Sequence, residues 1–586
     1  MFLRSRTRLR RAATAALVGA GLIATAVPAL AAPGVPAAPE SISAAAGLRS
    51  YLVITAPNDT AGAKTAVGTN GGSVYASYDA IGVIVAHSSA TDFATKMRTV
   101  SGVQQVGATR TSDVPADAAN PAIPASPSQT TPTANETNRS DMTQIKADQA
   151  WAVNQGSAGV TVGILDTGVD DQHYDLKANF DATKSASCAY GKLDTRAGSW
   201  RDTDTHGTHV AGTIAAAKNG KGMVGVAPGV KISSVRIAEK PSGLFYAENT
   251  ICAFVFAGDK GIDVTNNSYY TDPWLFNCPN NLDQAAILEG TKRAALYAEG
   301  KGVLHVAAAG NENYNLSSKS TDTTSPNDST PASRTITNDC LSVPTELPGV
   351  VTVASINSSN AKSSFSNFGV DKIAVAAPGD SVYSTVPGGG YGAKSGTSMA
   401  SPHVAGVAAL LVSVDPTATV AQLRAKLGVQ ADDLACTDSR CSGTTAKNNF
   451  FGEGRVDALE AVSGGTPPPP GKVFENTNDV QIADSPGAAV YSDVAVTGVT
   501  GNAPATLKVD VNIVHTWRGD VVIDLVAPDG STYRMKNSSS NDSADNVIAT
   551  YTVNASTEVA NGTWRLKVQD VARYDVGHIN SWKVTF

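Results

Sequence analysis

One stretch governs what this chain can fold into. Gly396-Thr397-Ser398-Met399-Ala400-Ser401-Pro402-His403-Val404-Ala405-Gly406 follows a glycine-rich run, Gly388 to Gly396, and opens an apolar segment that continues through Leu411. This pattern predicts a loop feeding a buried helix. Ser398 then falls at the helix N-terminus, where free N–H groups and the helix dipole favour negative charge. A serine nucleophile passes through an oxyanion, so such a position suits one. Gly396 leaves room for close backbone approach. A serine in front of a helix is most often an N-cap. Ser398 gains a chemical role only if an Asp and a His stand in suitable settings elsewhere. Two stretches supply them. Val160 to Asp170 is an apolar strand ending in the carboxylate of Asp166 and a glycine turn, and Asp204 to Thr213 is a polar loop with His206 running into a small-residue helix.

With these three stretches in the order Asp, His, Ser, the chain resembles the subtilisin-like serine proteases. The resemblance assigns Asp166, His206 and Ser398 to the catalytic triad. A fourth match, Val306-Ala307-Ala308-Ala309-Gly310-Asn311, implies Asn311 as the oxyanion-hole amide, with Ala308, Ala309 and Gly310 beside the substrate. Asn267-Ser268-Tyr269-Tyr270 matches the strand that lines the first specificity pocket, which makes Ser268, Tyr269 and Tyr270 substrate-binding. That strand usually carries a small residue, often Gly, where Tyr270 stands. A phenol there could narrow the pocket or swing out over it, which puts the family's tolerance for large P1 side chains in question.

The resemblance also implies a structural calcium ion. Asp175 and Asn219 match the two side chains of a family calcium site whose other ligands are mostly backbone carbonyls, an oxygen cage of the kind calcium prefers. Asn219 lies in the polar loop Ala217 to Met223, where Lys221 puts a cation; the competing reading is a solvated loop with an unrelated Asp. His209, three residues after His206, could form a zinc pair with it, but no third ligand is evident, and the family match makes His209 a packed neighbour. His403 has a core reading. Asp170, Asp202 and Asp204 read as loop acids without a catalytic role.

Around this site the chain divides into domains. From residue 142 to residue 463 short β-type runs alternate with helical ones, among them Val160–Asp166, Lys231–Ile237, Ala247–Lys260, Asp263–Ser268, Asp283–Ala298 and Gly302–Ala309. The alternation predicts an α/β domain, a parallel sheet with helices on both faces and catalytic groups outside the carboxyl ends of the strands. Residues 1–31 read as a secretory signal, with a basic head from Arg4 to Arg11, an apolar stretch from Ala12 to Ala26 and a small-x-small site at Ala29-Leu30-Ala31. No later segment reads as long and apolar enough to span a bilayer. Within residues 32–111 the order strand, helix, strand, strand, helix, strand resembles the inhibitory propeptide of the family; an unrelated N-terminal domain is the alternative. Residues 112–141, rich in Pro, Ala, Ser, Thr and Asn, form a linker and processing region. Residues 464–472 are a Gly/Pro linker. Beyond it the period changes to two, as in Leu507, Val509, Val511 and Ile513, and Pro528-Asp529-Gly530 signals a turn. Residues 473–586 are thus expected to form an antiparallel β-sandwich. The runs Ile513 to Gly530 and Gly577 to Trp582 resemble the P domain of proprotein convertases, with His515 and His578 structural.

Six cysteines, at 188, 252, 278, 340, 436 and 441, fall inside the catalytic domain. With an export signal they read as disulfides. Cys436 and Cys441 bracket a short polar loop and are expected to pair; the other four can pair in three ways.

These readings combine into a secreted, extracellular serine endopeptidase made as a preproenzyme. It would cleave proteins or peptides through an acyl-enzyme on Ser398, with its own propeptide as intramolecular inhibitor. Two rivals stand beside it, a narrow-specificity processing convertase and an inactive protease-fold binding protein. The filled catalytic positions weigh against the second. The acidic loop signature of dibasic-cleaving convertases is not evident. A formal net charge of −7 gives no reason to expect nucleic acid as a partner. A monomer without stable membrane association is expected.

Overall fold

The computed structural model describes residues 47–586 except 133, 437, 464–471, 486, 500, 505–506 and 574. The signal segment, residues 32–46 and all but the last residue of the 464–472 linker lie outside the described residues.

The N-terminal domain is a four-stranded antiparallel sheet in the order β2-β3-β1-β4, built from β1 (Arg49–Thr55), β2 (Gly72–Tyr78), β3 (Val83–Ser88) and β4 (Val103–Ala108). Helices α1 (Ala61–Thr69) and α2 (Phe93–Met97) complete it. Side chains alternate between the faces of a strand, and here the alternation splits the sheet between two cores. Tyr51, Val53, Ile84 and Ala86 pack with Phe93 and Met97 inside the domain. Leu52, Ile54, Val83 and Val85 point the other way, into the core of the domain that follows.

That domain contains a wholly parallel sheet of seven strands, β5 (Thr161–Asp166), β6 (Ala186–Ser187), β7 (Lys231–Arg236), β8 (Val264–Asn267), β9 (Leu304–Ala308), β10 (Val351–Ile356) and β11 (Val375–Pro378). Their order is β11-β10-β9-β8-β5-β7-β6. Every residue of β5 is buried, as a parallel sheet covered on both faces demands. On one face Val162, Ile164, Val306 and Val353 pack with α3 (His206–Ala215) and α6 (Thr397–Val414). On the other, Leu165 and Val235 meet α4 (Ala247–Lys260) and α5 (Leu282–Gly300). The N-terminal sheet sits on α4 and α5. Its edge is fixed by Asp283, at the start of α5, which accepts Ala108 N at 3.0 Å and pairs with Arg98 at 3.2 Å.

The expectation about membrane spans needs correction. Among the described residues α6 is long and apolar enough to cross a bilayer, with mean hydropathy 1.4, yet 83% of it is buried inside the domain. Hydropathy does not distinguish a span from a helix enclosed between a sheet and other helices.

The cysteines pair as Cys188–Cys252, Cys278–Cys340 and Cys436–Cys441. Residues 473–586 form two antiparallel sheets. One contains Val473–Asn476, Gly577–Thr585, Leu507–His515 and Val547–Val553, with Val480–Ile482 also on Gly577–Thr585; the other contains Val490–Val496, Gly562–Asp570, Val521–Val526 and Thr532–Lys536. Their inner faces enclose Trp564 and Trp582, which are 0% and 1% exposed.

Candidate active site

Asp166 ends β5 at the carboxyl edge of the sheet, fully buried, and His206 opens α3 opposite it. Imidazole Nδ1 faces both carboxylate oxygens, at 2.8 and 3.0 Å. An acceptor-only carboxylate fixes the proton on Nδ1 and leaves the Nε2 lone pair free to act as a base. Burial alone would lower the imidazole pKa, but the charge and hydrogen bond of Asp166 outweigh it and hold His206 above the ordinary 6.5. The two segments approach so closely that a Cβ on Gly207 would lie 2.1 Å from Gly168 O. Asp202 ties them together. Its carboxylate accepts Thr167 Oγ1 at 2.8 Å, Thr208 N at 3.0 Å, Thr208 Oγ1 at 2.5 Å and Asp204 N at 2.9 Å. Asp202, read from sequence as a loop acid without a catalytic role, thus bridges the residue after Asp166 and the start of α3.

Ser398 is the second residue of α6. Its Oγ donates to Ser268 O at 3.2 Å. Ser268 Oγ donates back to Ser398 O at 3.0 Å. That carbonyl is available because its helical partner four residues on is Pro402, which has no N–H. A residue that would break most helices thus frees the acceptor that joins the nucleophile to the strand of Ser268.

Asn311 stands just past the carboxyl end of β9. Its Oδ1 is committed to Thr397, accepting N at 2.8 Å and Oγ1 at 2.9 Å. Its amide nitrogen is therefore turned the other way. A Cβ built on Gly396 would lie 3.6 Å from Asn311 Nδ2, 3.6 Å from Asn311 Oδ1 and 3.7 Å from Ser398 N. The Asn311 amide and the Ser398 N–H thus both lie close to Gly396. Thr397, which no feature of the sequence marks as functional, aims the amide.

A cavity of about 280 Å³ opens beside Ser398, and Ser268, Tyr269, Tyr270, Ala308, Gly310 and Asn311 line it. Ala309, expected there, instead packs in the core with Ala354 and Phe368, because successive residues at a strand end face opposite ways. The Tyr270 hydroxyl is held inside the lining by Asn327 Nδ2 at 2.9 Å, and the same nitrogen donates to Asp272 Oδ1 at 2.7 Å. Asp272 and Asn327 both line the cavity, and nothing in the sequence singled them out.

Other candidates fall where packing puts them. His209 is buried, Nε2 contacting Val382 O and Gly392 O at 3.0 and 3.1 Å, and burial lowers it to about 3. His403 lies in the core between Met399 O and Asp141. His515 is buried near Asp570. Asp175 and Asn219 meet, Asn219 Nδ2 donating to Asp175 Oδ1 at 3.0 Å, while Asp175 Oδ2 accepts Met223 N at 3.0 Å and Tyr391 Oη at 2.8 Å.

Comparison with known proteins agrees with this geometry. The subtilase family model matches residues 157–454, about half of the chain, and the proprotein convertase P-domain model matches residues 504–586. An extracellular basic protease of Dichelobacter nodosus is 30% identical over 506 residues, which cover 75% of each chain. Leupeptin-inactivating enzyme 1 of Streptomyces exfoliatus is 54% identical over 186 residues, 31% of this chain and 42% of that one. Subtilisin NAT of Bacillus subtilis subsp. natto is 35% identical over 286 residues, 49% of this chain and 64% of its own length. Among solved structures, the epidermin leader peptide processing serine protease of Staphylococcus aureus superposes with a TM-score of 0.56 at 21% identity, covering 72% of this chain and 99% of that one, a likeness of fold. The parallel sheet, the Asp166–His206 pair at its carboxyl edge and the matched length together establish that this chain belongs to the subtilase family of serine proteases and carries a proprotein convertase P-domain.

Proposed function

We propose that the chain is a serine endopeptidase that hydrolyses peptide bonds in proteins through an acyl-enzyme on Ser398. The observation that carries this reading is the aspartate that fixes the tautomer of His206 at the carboxyl edge of the sheet, with Ser398 and Asn311 lining one cavity; Asn311 Nδ2 and Ser398 N are the two donors assigned to the oxyanion. In the reaction the Ser398 hydroxyl leaves Ser268 O and passes its proton to His206 Nε2 as Oγ attacks the scissile carbonyl. The tetrahedral oxyanion takes both donors. Asp166 stabilises the imidazolium, which then protonates the leaving amine, and water repeats the sequence on the acyl-enzyme. A fluorophosphonate probe tests this directly. The parent enzyme should be labelled at Ser398 and the Ser398→Ala variant should not; an unlabelled parent would refute the assignment.

The N-terminal domain is read as an intramolecular propeptide, supported by its position before the catalytic domain and its seat on α4 and α5. Secretion is supported by the signal-like sequence of residues 1–31 and by the extracellular relative. Calcium is a common structural ion of subtilases. Asp175 and Asn219 are the two side chains that would hold one: a half-turn of the Asn219 amide would set its Oδ1 beside Asp175 Oδ1, keep the Tyr391 and Met223 hydrogen bonds on the other oxygen and give up the bond from Lys221 N at 3.2 Å. Calcium would there tie the loop after α3 to the segment after β5.

A further inference from the structure

Arg110, two residues past β4, carries a buried charge from the N-terminal domain into the catalytic domain. Its guanidinium reaches Glu239 with Nη1–Oε2 at 2.9 Å and Nη2–Oε1 at 2.7 Å, and Glu248 with Nη2–Oε1 at 2.5 Å. It lies 3.7 Å above the ring of Tyr246. The three charged residues are 4%, 1% and 0% exposed. The single cation serves two carboxyl groups, and a further acceptor, Glu248 Oε2, is buried without a hydrogen-bond partner.

This acid pair adjoins the active-site cavity through two shared walls. Phe245 lines the cavity while its neighbour Tyr246 stacks on Arg110. Asn327 lines the cavity while its neighbour Asp328 accepts Thr111 N at 2.8 Å and Ser112 N at 2.9 Å. Asp272, which also lines the cavity, donates its N–H to Phe245 O at 2.9 Å. Segment 110–112 therefore lies against the residues next to two of the cavity's lining residues, Phe245 and Asn327, while Val114 and Ala118 pack with Ala189 and Tyr190. The N-terminal domain also reaches the catalytic-domain residue packed on Glu248. Tyr78 Oη donates to Gly191 O at 3.1 Å, and Gly191 is the residue whose Cβ would sit 2.6 Å from Glu248 Cγ. Departure of that domain would take away the Tyr78 contact and the only arginine bound to the pair among the described residues, leaving two carboxyl groups side by side behind Phe245. Like charges so placed favour an incoming cation.

We propose that Glu239 and Glu248 form a subsite for an arginine or lysine side chain of a polypeptide substrate, remote from the scissile bond, and that Arg110 fills this subsite in the precursor. The proposal rests on the endopeptidase reading and on removal of the N-terminal domain. Bidentate guanidinium–carboxylate geometry makes arginine the better fit of the two.

The test uses the self-processed enzyme and peptides sharing one scissile bond, with a single Arg moved in turn through the positions on either side and Gln as the reference. Arg at one position should raise kcat/KM by about tenfold or more, chiefly through KM. Glu248→Gln should remove that gain while neutral peptides are cut as before. Should that variant fail to fold, Glu239→Gln, which keeps its neighbour Asn249 hydrogen-bonded, reads the same property. Two results would overturn the subsite with the endopeptidase reading intact: neutral peptides cut normally with no position favouring Arg, or an Arg preference that survives both substitutions. No cleavage of any peptide, together with no fluorophosphonate labelling, would overturn both.

Discussion

Asp272 offers a quantitative test of the pocket. It lies two residues past Tyr270, is 2% exposed and lines the cavity beside Ser398. Burial, reinforced by the charges of Asp328 and Glu239 and opposed by hydrogen bonds from Phe245 N and Asn327, pushes its carboxyl from 3.8 up to about 7. The folded state therefore keeps a proton that the unfolded chain has already lost. Stability from this source is fully present below the unfolded pKa and disappears as pH rises through the folded one. Each pH unit between the unfolded and the folded pKa is worth about 1.4 kcal/mol, so the window from about pH 4 to about pH 7 spans about 4 kcal/mol. Asp272→Asn removes the proton equilibrium and keeps an acceptor for Phe245 N. Urea unfolding of both proteins, each carrying Ser398→Ala to prevent autolysis, isolates the effect. The variant should gain about 4 kcal/mol on its parent as pH rises across the window. A difference that stays flat within about 1 kcal/mol would show that the carboxyl ionises like a surface acid and that the wall of the cavity is charged at all working pH values.

Asn311→Ala should lower kcat by about 10²–10³ with little change in KM, the fall known for the oxyanion asparagine of subtilisin, a family member; unchanged kcat would show that the amide does not face the oxyanion. Because Asp166 holds His206 above 6.5 and only the neutral base is active, the acid limb of kcat/KM should lie above that value; a limb at or below it, in a pH–rate profile, contradicts the electrostatics. Tyr270→Gly should raise kcat/KM for substrates with large P1 side chains relative to small ones; an unaltered P1 profile across peptide anilides would mean that the phenol does not limit the pocket. Chelation should lower the Tm of the parent, and Asn219→Ala should abolish most of that response; a variant that still responds fully to calcium places the ion elsewhere.

The parts legible in sequence are those where chemistry or geometry restricts residue type locally. Asp166, His206, Ser398 and Asn311 each stand at a strand end or helix start that their own neighbours announce. The continuous apolar runs of β5 and β9 and the alternation in Leu507–His515 announce a covered parallel sheet and a half-buried antiparallel one. What stayed hidden depends on segments far apart in the chain. Tyr270, Asp272 and Asn327 come together from two loops separated by more than a helix and a strand, and only the folded arrangement shows that one amide nitrogen serves both other side chains. The pairing of Cys188 with Cys252 and Cys278 with Cys340 is likewise set by element order in space. Arg110 gave no signal, since its partners belong to another domain.

Asp202 shows why a catalytic pair needs a polar support. The turn after Asp166 and the start of α3 meet backbone to backbone, with no space for even a Cβ on Gly207. Segments that close cannot be locked by interdigitated apolar side chains, because there is no side-chain volume between them. Only hydrogen bonds are left to fix their separation, and they must come from the side. A half-buried carboxylate with four donors, two from Thr208 and one each from Thr167 and Asp204, supplies them. Burial raises the pKa of that carboxyl despite the four donors, a sign that desolvation is not fully repaid. The residual cost is carried where a shift of a fraction of an ångström would lengthen the Asp166–His206 contact, so the same geometry that makes the pair close makes a costly, half-buried acid the available way to keep it so.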